Sequence, residues 1–93
     1  MTVKQILKAA KALLVKRGWV QEEYSNANGY CLLGAISKAA AGSNANPAFV
    51  VVRRVLRIKG LDTIAGWNDR PDRTKEEVLK VLDRAIQAKG RAK

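Results

Sequence analysis

The sequence predicts an all-α fold: a compact single domain of four helices plus a short fifth, with a small hairpin admitted near residues 19–31. Three observations carry this. Apolar residues recur at three- and four-residue steps along several stretches, the period of one helix face. Thr2 with Gln5, and Thr74 with Glu77, are capping boxes, in which the hydroxyl and its partner side chain satisfy N–H groups that a helix start leaves bare. Gly18, Gly42, Gly60 and Gly90 each fall where a periodic stretch ends.

The first helix begins at the Thr2 box and gathers Val3, Ile6, Leu7, Ala10, Leu13 and Leu14 on one face, with Lys4, Lys8 and Lys11 on a stripe beside it. Gly18 stops it as a left-handed cap. The stretch WVQEEYSNANGY then loses helical period and reads as a structured loop. Asn28-Gly29 is a turn signal, and Trp19, Val20, Tyr24 and Tyr30 are acceptable strand residues around it. Tyr30 to Ala41 reads as a short helix with Cys31 or Leu32, Ala35, Ile36 and Ala39 inward. Asn46 caps the next helix and Pro47 takes its first position, where a missing N–H costs nothing.

That third helix is expected to run to about Lys59, with Ala48, Val51, Val52, Val55 and Leu56 on one side and Arg53, Arg54 and Arg57 on the other. Its valines also fit an extended strand over residues 49–52. Leu61 to Trp67 fits one or two helical turns capped by Asp62, and NDRPDR is a turn. The last helix starts at the Thr74 box, carries Val78, Leu79, Leu82, Ala85 and Ile86 on one stripe, pairs Glu76 with Lys80, and closes at Gly90. Residues 1–90 form the domain and 91–93 a frayed basic tail.

Size and charge exclude a good deal. At 93 residues the chain buries about 60–65% of its unfolded surface, enough for one modest core. It carries 18 Lys or Arg against 8 Asp or Glu, a formal charge of +10, and no histidine. Ser-His and Cys-His catalytic pairs are therefore absent, and with one cysteine there is neither an internal disulfide nor a thiolate zinc site. No metal and no cofactor is expected. Lys8, Lys11 and Lys16 interrupt the apolar run of the first helix, so neither a signal peptide nor a membrane span is predicted, and the lone cysteine points to the cytoplasm.

Two constellations could carry chemistry. Cys31 lies at a helix start, where a thiol can acidify, but it has no histidine base and sits in the apolar run YCLLGAI. Asp69 and Asp72 share a loop, but Arg70 and Arg73 beside them hold both acids ionised. For binding, the charge suits a phosphate-bearing partner, although it is spread along the chain: residues 1–42 carry +4, 43–62 carry +3 and 63–93 carry +3. The densest cluster is Arg53, Arg54, Arg57 and Lys59. The second and third helices imitate a helix-turn-helix, yet the third would present Ala48, Phe49, Val50 and Val51, which cannot hydrogen-bond base edges. An exposed aromatic or valine patch rimmed by arginines would instead suit a protein partner.

Gly18-Trp19, the run Gly29-Tyr30-Cys31-Leu32-Leu33-Gly34-Ala35-Ile36, and Trp67-Asn68-Asp69 with Arg73-Thr74 and Glu77-Val78 together resemble a family of small helical proteins of unknown function from bacterial and bacteriophage genomes. The likeness spans about residues 5–88. One departure is Val20-Gln21-Glu22-Glu23, which stands where the family has a Gln-Gly turn. The resemblance implies a shared fold and a shared site near Cys31, Trp67, Asn68, Asp69 and Arg73. It implies no reaction.

The expectation drawn from all of this is a small basic binding protein without catalytic activity, a phage-derived accessory protein that docks onto an acidic protein surface or nucleic acid through Arg53, Arg54, Arg57 and Lys59. The alternatives are a small enzyme using Cys31 or Asp69 and Asp72, and a self-assembling structural protein.

Overall fold

The computed structural model describes residues 1–58 and 63–91. Their order is α1 (Val3–Arg17), β1 (Ser25–Asn26), β2 (Gly29–Tyr30), α2 (Leu32–Ala40), α3 (Asn46–Leu56), α4 (Ile64–Asn68) and α5 (Lys75–Arg91). The fold is all-α apart from a two-stranded antiparallel hairpin that pairs Ser25 with Tyr30 and Asn26 with Gly29. Tyr30 also bridges to Trp19.

α1 is the central element, packed against α2 and α5, while α3 packs on α5. Its Ile6, Leu7, Ala10 and Leu14 meet Leu32, Ala35 and Ile36 of α2, Ala48 and Val52 of α3, and Val78, Val81, Leu82 and Ala85 of α5 in one core. Each fully buried Leu or Ile there contributes about 1.5–3 kcal/mol. The periodicities predicted the centre of this core. Val81 is buried though absent from the expected α5 stripe, and of the expected residues Val3, Leu13, Val51, Val55, Leu56, Leu79 and Ile86 are half-buried and pack against its edge.

Both capping boxes form. Gln5 N donates to Thr2 Oγ1 at 3.1 Å and Thr2 N to Gln5 Oε1 at 2.8 Å, and Thr74 N donates to Glu77 Oε1 at 2.9 Å. Other helix ends differ from expectation. Gly18 has a positive φ of 107° but an extended ψ of 170°, so it turns the chain without a left-handed helical cap. α2 starts at Leu32, because Tyr30 joins the hairpin and Cys31 becomes the cap, its Sγ accepting from Gly34 N at 3.2 Å. α3 includes residues 49–52 as helix and takes Ala45, not Asn46, as its N-cap, with Asn44 Oδ1 accepting from Asn46 N. It ends at Leu56, where Arg57 turns left-handed, short of the expected Lys59. α4 is capped by Thr63 in place of Asp62, and α5 passes through Gly90 to Arg91. Lys59, Gly60, Asp62 and the last residues of the expected tail, 92 and 93, lie outside the described residues. Glu76 and Lys80 form no ion pair; among the described residues the pairs are Lys11–Asp83, Arg70–Asp72 and Arg73–Glu77.

The hairpin docks on the helices through glycines. A Cβ on Gly29 would lie 2.2 Å from Gly18 O, and one on Gly34 would lie 2.1 Å from Tyr24 O. Both neighbours are backbone atoms, so only hydrogen fits there, and the residue 18–31 segment lies directly against the start of α2.

Candidate functional site

The residues from Trp67 to Arg73 join α4 to α5, and Asn68 is the anchor of that junction. It is the one polar residue of the described chain with a buried side chain, at 0% exposure. Such a group needs partners, and this one has four. Its Oδ1 accepts from Trp19 Nε1 at 2.6 Å and from Leu32 N at 3.0 Å. Its Nδ2 donates to Val20 O at 3.1 Å and to Asp69 Oδ1 at 3.0 Å. Gln21 Nε2 adds bonds to the carbonyls of Asn68 and Arg70. One amide thus ties together the loop after α1, the first turn of α2 and the end of α4.

Asp69 belongs to the same network. Its Oδ1 also accepts from Glu22 N at 2.8 Å, and Glu22 holds a positive φ of 70°. A non-glycine residue pays about 1 kcal/mol for that conformation. Here the Asp69 bond secures the turn at Glu22. Asp72, by contrast, is exposed and reaches only Arg70, at 4.0 Å. Among the described residues, Asp69 and Asp72 are thus engaged by different partners.

Cys31 lines a small cavity of about 180 Å³ with Glu22, Glu23, Tyr24, Ala65 and Asp69. Burial, the largest effect, pushes its thiol above the usual range; N–H groups of Gly34 and Leu33 pull the other way, and the Asp69 carboxylate raises it further. The thiol is held protonated at neutral pH and serves as a helix cap. No group of three or more His, Cys, Asp and Glu residues among the described residues is arranged to hold a metal ion.

Trp67 and Arg73 face a different region. The Arg73 guanidinium stacks over the Trp67 ring with Cζ 3.8 Å from the ring centroid, while Nε donates to Trp67 O at 2.9 Å and Nη1 to Glu77 Oε2 at 3.2 Å. This pair lines a groove of about 750 Å³ between α3, α4 and α5, together with Val55, Leu56, Arg57, Lys80 and Arg84. A second hollow of about 320 Å³ continues past Leu56, Arg57 and Trp67 to Ile58, Thr63 and Arg70. Two acids on the main groove are already engaged, Glu77 by Arg73 and Asp83 by Lys11. Arg57, Lys80 and Arg84 are exposed and have no ion pair among the described residues.

The expected sites thus fall into two groups. Asn68, Asp69 and Cys31 come together around the hairpin, while Trp67 and Arg73 lie on the groove. In the expected basic cluster, Arg54 and Arg57 are exposed, Arg53 is half-buried, and Lys59 lies outside the described residues. Only Arg57 lines the groove. Lys80 and Arg84 were missed as site residues. Their i,i+4 spacing on one helix face was the available signal, but only the packing of α3 on α5 sets them opposite Arg57.

The model of a family of unknown function, DUF6197, matches residues 1–88. The chain belongs to this family. The DUF6197 match covers every helix described except the last residues of α5, together with the whole Asn68 network and all groove residues named above. No curated protein and no solved structure matches the chain. For DUF6197 the family label carries no activity, so the chemistry of this member rests on its own residues.

Proposed function

We propose that this protein is a non-enzymatic binding module that docks onto an acidic partner through the groove between α3, α4 and α5. The observation that supports the reading is the set of exposed cations Arg57, Lys80 and Arg84, which no acid neutralises among the described residues, around the stacked Trp67–Arg73 pair. Cations left without partners on a concave surface raise the local concentration of an anionic ligand and steer its approach. The protonated Cys31 thiol and the engaged Asp69 carboxylate offer no activated nucleophile and no paired acid and base, which favours binding over catalysis. The reading includes a cytoplasmic location, suggested by the lone cysteine, and the phage accessory role that the family resemblance implies.

Elution from an anionic matrix in a salt gradient tests it. Wild-type protein should be retained, and R57E/R84E should elute at clearly lower salt than K4E/K8E, which makes the same change in net charge on the exposed face of α1. Co-elution of the two variants, or failure of the wild type to bind at low salt, would overturn the groove as the docking surface.

A further inference from the structure

We infer that the occupant of this groove is a single-stranded nucleic acid, with phosphates on Arg57, Lys80 and Arg84 and a base stacked at the Trp67–Arg73 pair. The inference rests on the binding reading above and specifies the partner.

The chemistry of the groove favours a strand over other polyanions. Its cations come from two helices that face each other across the opening, Arg57 at the end of α3 and Lys80 with Arg84 one turn apart on α5. Arg57 is the left-handed residue that closes α3, with φ 57°. The second hollow shares Leu56, Arg57 and Trp67 with the main groove and adds Arg70 to the basic lining. A nucleic acid strand presents one phosphate per nucleotide and matches cations set at several places along a concave surface.

The aromatic component is what separates a strand from a purely acidic peptide. Trp67 lines both hollows, and the Arg73 guanidinium sits over its ring with Cζ 3.8 Å from the centroid. Guanidinium planes and indole rings are both surfaces on which unpaired bases stack, with little preference for base identity. Duplex reading is disfavoured by the same structure. The helix after the α2–α3 turn starts with Asn46-Pro47-Ala48-Phe49, with Ala48 buried and Phe49 half-buried, so it has no row of base-reading side chains at its N-terminus. With no histidine in the chain, binding should be nearly constant across neutral pH.

Fluorescence anisotropy with labelled oligothymidylate, an abasic strand of equal length, a duplex and poly-glutamate of matched charge, at about 50 and 200 mM salt, tests the inference. Oligothymidylate should bind tightest. The abasic strand keeps the phosphates and should bind about fivefold or more weakly, the loss of one stacked base. R57A/K80A/R84A should lower the logarithmic salt slope for oligothymidylate by about 2, the share of three single-strand phosphate contacts. K4A/K8A/K16A, which removes the same charge from exposed α1 positions, should lower it less. Poly-glutamate binding as tightly as oligothymidylate would overturn the inference and leave the acidic-partner reading standing. Equal affinity for the abasic strand, tighter binding of the duplex, or equal effects of the two triple variants would also overturn it. Absence of binding to every probe, together with no retention on the anionic matrix, would overturn both.

Discussion

The two sides of the α4–α5 junction use polar chemistry in opposite ways. On the hairpin side, the Asn68 amide makes four hydrogen bonds, and among the described residues no buried side-chain nitrogen or oxygen is left unpaired. On the groove side, Arg57, Lys80 and Arg84 are exposed and form no ion pair among the described residues. The first arrangement stabilises a fold. The second contributes nothing evident to the fold and has unused capacity. The residues with the most distinctive sequence pattern, Gly29 to Gly34 and Trp67 to Asp69, lie mainly on the first side.

Variants of Asn68 should separate the sides most sharply. Asn68→Ala leaves Leu32 N–H and Trp19 Nε1–H without their acceptor and Val20 O without a donor. At about 1–3 kcal/mol for the buried Leu32 N–H and about 1 kcal/mol for each of the part-buried Trp19 and Val20 groups, the expected loss is about 3–5 kcal/mol. That is a large part of the roughly 5–14 kcal/mol available to a domain of this length. Urea unfolding would measure it, and a loss below about 1 kcal/mol would mean that the hairpin is not held by this amide. Gly34→Ala comes next, at about 1–3 kcal/mol, because its Cβ must push the Tyr24 carbonyl away from 2.1 Å. While either variant remains folded, its retention on an anionic matrix should match wild type.

Helix placement was readable in the sequence because burial on α1, α2, α3 and α5 follows apolar spacing, and the threonine boxes require only local geometry. The errors fall where a distant group decides. Cys31 caps α2 because Tyr30 N donates to Gly18 O and Cys31 N to Tyr24 O, which draws both residues out of the helix. Asn68 in a turn-rich stretch looks like a residue bonding its own loop. Three of its four partners are dozens of positions away, and no spacing rule connects it to Trp19 or Leu32. The groove was only partly readable: Arg57 stood out within its helix, but its relation to Lys80 and Arg84 exists only after α3 packs on α5.

Acid should weaken the junction through Glu77, which both caps α5 and holds Arg73. Its carboxyl titrates below the usual 4.5, first because Thr74 N–H donates to it and then because of the Arg73 charge. A lowered folded pKa means that the contribution is complete above 4.5 and is lost as pH falls through the folded value. Glu77→Gln keeps an acceptor for Thr74 N–H but does not titrate. Its melting temperature should therefore lie below wild type at neutral pH and approach it in acid. A constant difference between the two at all pH values would remove Glu77 as the source of acid sensitivity.

The smallest expected effect on stability belongs to the groove, and it tests the comparison from the other side. R57A/K80A/R84A removes three exposed charges that form no ion pair among the described residues, from a chain with a net charge of +10. Surface changes of this kind usually shift stability by less than about 0.5 kcal/mol each. Two local terms act in the stabilising direction: repulsion among the remaining cations falls, and Ala is a better helix former than Lys or Arg at the two α5 positions. The positive φ of residue 57 adds nothing either way, since Ala and Arg carry the same Cβ there. The triple variant should thus melt within a few degrees of wild type, and the difference should shrink further in high salt, where self-repulsion is screened. A fall as large as that of Asn68→Ala would show that these side chains hold α3 on α5, and the groove would then be scaffold like the hairpin side. An unchanged melting temperature together with lost binding would mark them as side chains the fold does not need.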